Sequence, residues 1–468
     1  MITYIKIDGF KSFQNFEMDF TPLTVIAGSN AAGKSNLFDA LRLLSSLADS
    51  DKIQKSFREQ RGDLLELFTR YDDHSIASEM SFVVEMLVNP SITDTWGATE
   101  KLKYTRLHYE LKLQRFKNNA DMEDIKVVYE KLDTIKHDTD KWVKILPPDT
   151  AAVWRPQVKA GRRQVPYMST EEHNGIPTVI VPQDGSQGKK RFYPLNNVTR
   201  TIISGFDSVD FKHILAAKEE MRSWRFLQLN PEVLRLPTSK ITGEDIIDSE
   251  GRNMAAALFR IKQQNSYNLK EISRKLHMFL PNFVEVDVLD DVENKQFIII
   301  LQDVDGKKYT SRVLSEGTLR ILALCVLLYD NHHKGLLCFE EPENGINPFR
   351  IKATTLLLRD LAVDFAFPDS PLRQVIVNTH STVFVKEIYN MMPDKCITIA
   401  YAEMVNRVIT LEGVRKKILV TKITPLEQED ALQTSIQFSG QERKLTLHSL
   451  MEYMRMNDNE SIMVGEKA

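Results

Sequence analysis

Gly28-Ser29-Asn30-Ala31-Ala32-Gly33-Lys34-Ser35 is the stretch whose reading decides how this chain folds. It fits the pattern G-x-x-x-x-G-K-[ST], and each fixed residue type has a physical reason. Glycines let the backbone curl until successive N–H groups point inward at an anion, and the helix that follows adds its partial positive charge. Lys34 can reach the outer phosphates of a bound nucleotide, and the Ser35 hydroxyl suits a hard divalent cation. The flanks are the required ones. LTVIAG (residues 23–28) reads as a short buried strand, and NLFDALRLLSSLA (36–48) spaces its apolar residues as an amphipathic helix.

Outward from this unit, residues 2–20 alternate apolar and polar positions in two runs around Gly9-Phe10-Lys11, as a hairpin or bent strand pair does. MSFVVEMLV (80–88) and LKYTRLHYELKLQRF (102–116) alternate in the same way. Residues 117–200 mix charges, prolines and glycines without a sustained period, and read as an insertion or a poorly packed accessory region. Residues 208–280 read as helical, broken at Pro231 and Pro237 and ended by Pro281. Two strands follow, with Asp305-Gly306 as a hairpin turn, then an apolar helix (319–329) and a buried strand (335–339). A helix after Pro348 and the buried strand QVIVNTH (374–380) come next, and the tail from about residue 396 carries weak strands and a final amphipathic helix. The expected organisation is a first lobe at 1–116, an inserted helical and irregular region at 117–282, a second lobe at 283–400 and a C-terminal extension at 401–468. No heptad pattern marks a long coiled coil.

Composition narrows the classes. The chain has 468 residues and 42% hydrophobic content, enough for two or three domains with a real core. Its 61 Lys+Arg against 64 Asp+Glu exclude a histone-like binder and leave room only for a local basic groove. The N-terminus has no secretion-signal pattern, no apolar run is long enough to span a bilayer, and three scattered cysteines build no disulfide framework. A reduced, cytoplasmic protein away from the membrane is expected.

Three further constellations complete the chemistry. Gly335-Leu336-Leu337-Cys338-Phe339-Glu340-Glu341-Pro342-Glu343 is a buried strand ending in acids. Glu340 there can hold Mg²⁺ and Glu341 can polarise an attacking water, although an acidic loop capping the next helix would read alike. Leu314-Ser315-Glu316-Gly317-Thr318 precedes a helix and is either an anion site at a helix N-terminus or a plain helix cap. Val375-Ile376-Val377-Asn378-Thr379-His380-Ser381 places a histidine just past a buried strand, where it can reach a γ-phosphate or the water.

In this order the four resemble the ATP-binding-cassette class of P-loop ATPases, in the branch with RecF, the SMC proteins and the ATPase half of OLD-family nucleases. FEEPENGINP and NTHS are similar to the stand-alone AAA-type ATPases of that branch, many of them in bacterial anti-phage defence systems. The likeness covers roughly residues 1–115 and 205–400. It implies an α/β fold of two lobes with an insertion, binding ATP and Mg²⁺ and hydrolysing ATP. By that resemblance Gly28, Ser29, Asn30, Ala31, Ala32, Gly33, Lys34, Ser35 and Asn36 form the nucleotide loop, with Lys11 a basic residue near the phosphates. Ser35 and Glu340 would hold the metal, and Lys34, Glu341 and His380 would carry the reaction. Ser315 and Gly317 would close over the ATP of a second copy, making a homodimer or higher homo-oligomer, with Asn344 and Gly345 at the same interface. Three departures stand out: the usual metal Asp is Glu340, the signature reads LSEGT, and the glutamine loop has only Gln54 and Gln60 as candidates.

The gap between Lys34 and Leu314 is too long for the compact cassette of a transporter. No Asp-x-Asp follows His380, so a built-in nuclease is not expected, and a nuclease or toxin on a separate chain is. His332-His333 read as a helix C-terminal cap. Short basic clusters at Arg162-Arg163, Lys189-Lys190-Arg191 and Arg415-Lys416-Lys417, with Trp154-Arg155 and Trp224-Arg225 as base-stacking candidates, leave DNA as a further partner. The reading is an ATP-driven switch that controls a partner effector in defence. The alternative is a RecF- or SMC-like DNA-repair ATPase or clamp.

Overall fold

The computed structural model describes residues 1–156, 165–184, 189–392, 394–411 and 413–426, together with 450 and 452. Two sheets share one helix between them. The first is antiparallel, with the strands Phe16–Asp19, Ile2–Asp8, Glu79–Leu87, Arg106–Lys117 and Glu123–Thr134 in that spatial order. The second has six strands in the order Arg225–Leu227, Gly335–Glu340, Arg373–Thr379, Leu23–Gly28, Ile397–Leu411 and Val414–Pro425. Its first five run parallel and the last turns back antiparallel.

The period of two along a strand decides which face each residue covers. In Leu23–Gly28 every residue is buried, as a central parallel strand requires. Leu23, Val25 and Ala27 pack with Leu337, Phe339, Val375 and Val377 against the helices Glu316–Tyr329, Ile351–Leu361 and Thr382–Tyr389. Ile26, on the other face with Leu336, Cys338 and Ile376, packs against the helix Lys34–Asp49. That helix presents Leu37, Phe38, Leu41 and Leu44 to a core that also takes Ile5, Ile7, Phe82 and Val84 of the antiparallel sheet.

The structure redraws several readings. Glu123–Thr134 extends the first sheet although it lies past residue 117, because its partner strand runs through Lys117. The accessory region is packed rather than loose. Ser169–His173, Ile176–Pro182 and Lys190–Pro194 form a three-stranded sheet, while Leu146 and Trp154 pack on Val363, Phe365 and Leu372. Within 208–280 a three-residue strand, Arg225–Leu227, interrupts the helices and joins the second sheet. It was hidden because it is too short to show a period. The strands read as weak past residue 396 are 15 and 12 residues long and complete that sheet. The final helix expected in the tail lies almost entirely outside the described residues. Trp154 and Trp224 are buried, so neither is presented for stacking on bases. His333 is buried too, and the helix is capped at Asp330, not by the histidine pair. Among the described residues no helix is long and apolar enough to cross a membrane.

Candidate functional site

The nucleotide loop leaves the sheet at Gly28, where a Cβ would meet the Ala402 carbonyl at 2.5 Å. It enters the helix at Gly33, whose φ of +83° is left-handed. Ala31 also sits in the left-handed region, at φ +63°. Lys34 is buried, and its ammonium donates to the carbonyls of Gly28 and Ser29, both at 2.7 Å. Burial pushes its pKa below the ordinary lysine value, while the charges of Glu341 and Glu343 oppose that shift.

The acids arrive from the next strands along. Gly335–Glu340 and Arg373–Thr379 run parallel with Glu340 opposite Asn378, so both strands end at the same edge as Gly28. The Glu341 N–H donates to the Asn378 carbonyl at 2.8 Å, with Glu341 itself at φ +47°. One of its carboxylate oxygens lies 2.8 Å from Nδ1 of His380, and the other accepts from Asn344 at 2.7 Å. Asn378 reaches toward Ser35 Oγ at 3.5 Å. Ser35, Gln228, Arg320, Glu340, Glu341, Asn344 and Asn378 thus line one cavity of about 180 Å³. The Asn378 side-chain oxygen is buried there without a hydrogen-bond partner among the described residues. The Ser35 hydroxyl and the Glu340 carboxylate, which line the cavity together, are hard oxygen donors of the kind that fits Mg²⁺.

Other sites lie elsewhere. Ser315 is an exposed helix cap whose Oγ accepts from the Thr318 N–H at 3.3 Å, and neither it nor Gly317 lines the cavity. A Cβ on Gly317 would stand 3.5 Å from the Gly345 carbonyl, so the signature helix starts against the loop that follows the acids. Lys11 turns to Asp39 at 2.7 Å and so braces the loop helix. Gln54 donates to Asp124, and Gln60 is buried on the Ser56 carbonyl; neither faces the cavity. The glutamine that does is Gln228, directly after the short edge strand. In the sequence only the pair Phe226-Leu227 before Gln228, ahead of Pro231, marks it. Arg61, which no local pattern marks, joins Glu340 at 3.2 Å to the buried Asp39 at 3.4 Å. Glu343 is a third acid of the motif, buried and hydrogen-bonded by Thr379, and burial raises its pKa. Of the basic clusters, Arg191 stacks on Phe211 and Lys416 pairs with Asp72, while Arg162-Arg163 lies outside the described residues.

The family model described as "AAA domain, putative AbiEii toxin, Type IV TA system" matches residues 23–386, from the nucleotide-loop strand past His380. The chain belongs to this family. The matched span is an AAA domain that includes the G-x-x-x-x-G-K-S loop. A curated relative from Helicobacter pylori, an "ATP/GTP phosphatase", is 51% identical over 45 residues, which is 9% of this chain and only 12% of that protein. Among solved structures, an Smc head bound to the C-winged helix domain of ScpA aligns with a TM-score of 0.47 at 12% identity, covering 92% of this chain and 99% of that one. The SMC head domain from Thermotoga maritima aligns with a TM-score of 0.38 at 12% identity, covering 91% of this chain and 99% of that one. Among the described residues no group of three His, Cys, Asp or Glu is placed to hold a metal ion by itself.

Proposed function

We propose that this AAA-domain chain is an ATP-hydrolysing switch that dimerises around ATP–Mg²⁺ and controls a separate effector in anti-phage defence. The observation that carries the reading is Glu341, held by His380, lining the same cavity as Ser35. The triphosphate takes the place of the Gly28 and Ser29 carbonyls as the partner of Lys34. Water attacks the γ-phosphorus in line. Glu341 accepts its proton as the new O–P bond forms, and the bond to the bridging oxygen breaks to release ADP. His380 holds Glu341 in place by donating its Nδ1–H to that carboxylate. Ser35 and Glu340 would hold Mg²⁺, which supplies charge neutralisation for the phosphates. Ser315, exposed at a helix N-terminus, and Gly317, buried in the first turn behind it, serve the site of a second copy. The family description, with its toxin and type IV toxin–antitoxin vocabulary, supports a partner chain and a defence setting.

The test is Lys34→Ala. It should keep its circular-dichroism spectrum, lose ATP binding, and abolish protection in phage challenge of cells carrying the gene with its neighbouring reading frame. Unchanged ATP affinity in that variant overturns the reading.

A further inference from the structure

The last strand of the sheet reaches the nucleotide loop from behind. Thr421, buried on Val414–Pro425, fills the space that a Cβ on Gly33 would occupy: its hydroxyl oxygen is the atom nearest that point, with its Cβ at 3.0 Å and its Cγ2 at 3.1 Å. Its N–H donates to the Ser12 carbonyl at 3.0 Å, and its hydroxyl lies 2.6 Å from Ser12 Oγ. Asn36, in the first turn after the loop, donates its side-chain amide to the same Ser12 Oγ at 2.7 Å. The Thr421 hydroxyl in turn faces Met404 Sδ at 3.3 Å on the neighbouring strand. Met404 sulfur can only accept, so with the Thr421 O–H turned to it the Ser12 O–H is left to donate to the Thr421 oxygen, while the Asn36 amide donates to Ser12. One hydrogen-bonded line therefore runs from the nucleotide-loop helix through the N-terminal turn into the C-terminal hairpin.

We infer that Ser12 and Thr421 are positioning residues for the nucleotide loop, clamping Gly33 and Asn36 so that the inward N–H groups are ordered before the triphosphate arrives. Both residues lie outside the G-x-x-x-x-G-K-[ST] motif and touch no reacting atom. They act by removing the cost of ordering the loop on binding, which belongs to affinity and not to the chemical step. The inference rests on the ATPase reading above.

Thr421→Val keeps the bulk against Gly33 and removes the hydroxyl. Titrated with a fluorescent ATP analogue and Mg²⁺, it should bind about tenfold more weakly, the change that one lost hydrogen bond produces. Its kcat should stay within about twofold of the wild type, and Thr421→Ser should restore affinity. Ser12→Ala should match Thr421→Val, and the double variant should be no weaker than either, because one line can be cut only once. Wild-type affinity in Thr421→Val and Ser12→Ala overturns the inference, and so does a fall in kcat at unchanged KM. Should Thr421→Val lose its fold by circular dichroism, Ser12→Ala decides alone. Failure of the wild type itself to bind the analogue would strike the ATPase reading and not the clamp.

Discussion

His380 and Glu341 meet at 2.8 Å, Nδ1 to Oε1, across the ends of two adjacent parallel strands. The contact holds a carboxylate that is also fixed by Asn344, so only its proton-accepting capacity is free to change. Glu341→Gln keeps the shape and the Asn344 and His380 neighbours but cannot take a proton from water. It should bind ATP as tightly as the wild type while turnover falls by roughly 10²- to 10⁴-fold. Size-exclusion chromatography with ATP should then show a dimer that persists; a monomer at saturating ATP would contradict the shared-site proposal.

The glutamine assignments separate cleanly. Gln228 lines the cavity with both acids, whereas Gln54 is engaged with Asp124 in the first sheet. Gln228→Ala should lower kcat about tenfold or more with little change in ATP affinity, and Gln54→Ala should leave both unchanged. Steady-state kinetics on the two purified variants decides it.

Ala31 carries a left-handed backbone, φ +63°, on an exposed loop. For a residue with a Cβ that conformation costs roughly 1–2 kcal/mol, and glycine's greater freedom when unfolded offsets about 0.5–1 of it. Ala31→Gly should therefore gain about 0.5–1 kcal/mol in urea unfolding.

His333 is buried behind the signature helix, beside Asp330 and the Arg260 and Arg373 guanidiniums. Burial drives its pKa down to about 4, with Asp330 pulling the other way. The unfolded chain therefore binds a proton at this histidine between its ordinary pKa near 6.5 and about 4 that the native chain refuses. Stability contributed by the neutral ring is whole above pH 6.5 and is lost as the pH falls toward 4, on the order of 2 kcal/mol by pH 5. Asp330, held low by Arg260 against the opposing effect of its own burial, adds a loss of the same sign only below its ordinary range. Chemical denaturation at pH 7 and pH 5 should show the drop, and His333→Leu should flatten it.

The elements that were readable from the chain are those whose signal is local. The nucleotide-loop strand, its helix and the acidic strand each carry a complete pattern within about 15 residues, and the structure places them together. Gln228 and Arg61 were not readable, since their part depends on an edge strand of three residues and on a pair spanning Arg61 to Glu340.

Residue order alone determined that a phosphate loop, a signature turn, paired acids and a histidine exist here, because backbone curvature, capping and strand burial are written in neighbouring residues. Only the tertiary structure decided that parallel strands end side by side with Ser35 beside Glu341, that Lys11 braces Asp39, and that Thr421 stands behind Gly33. Those pairings join positions hundreds of residues apart, and sheet order, which no local pattern encodes, sets them.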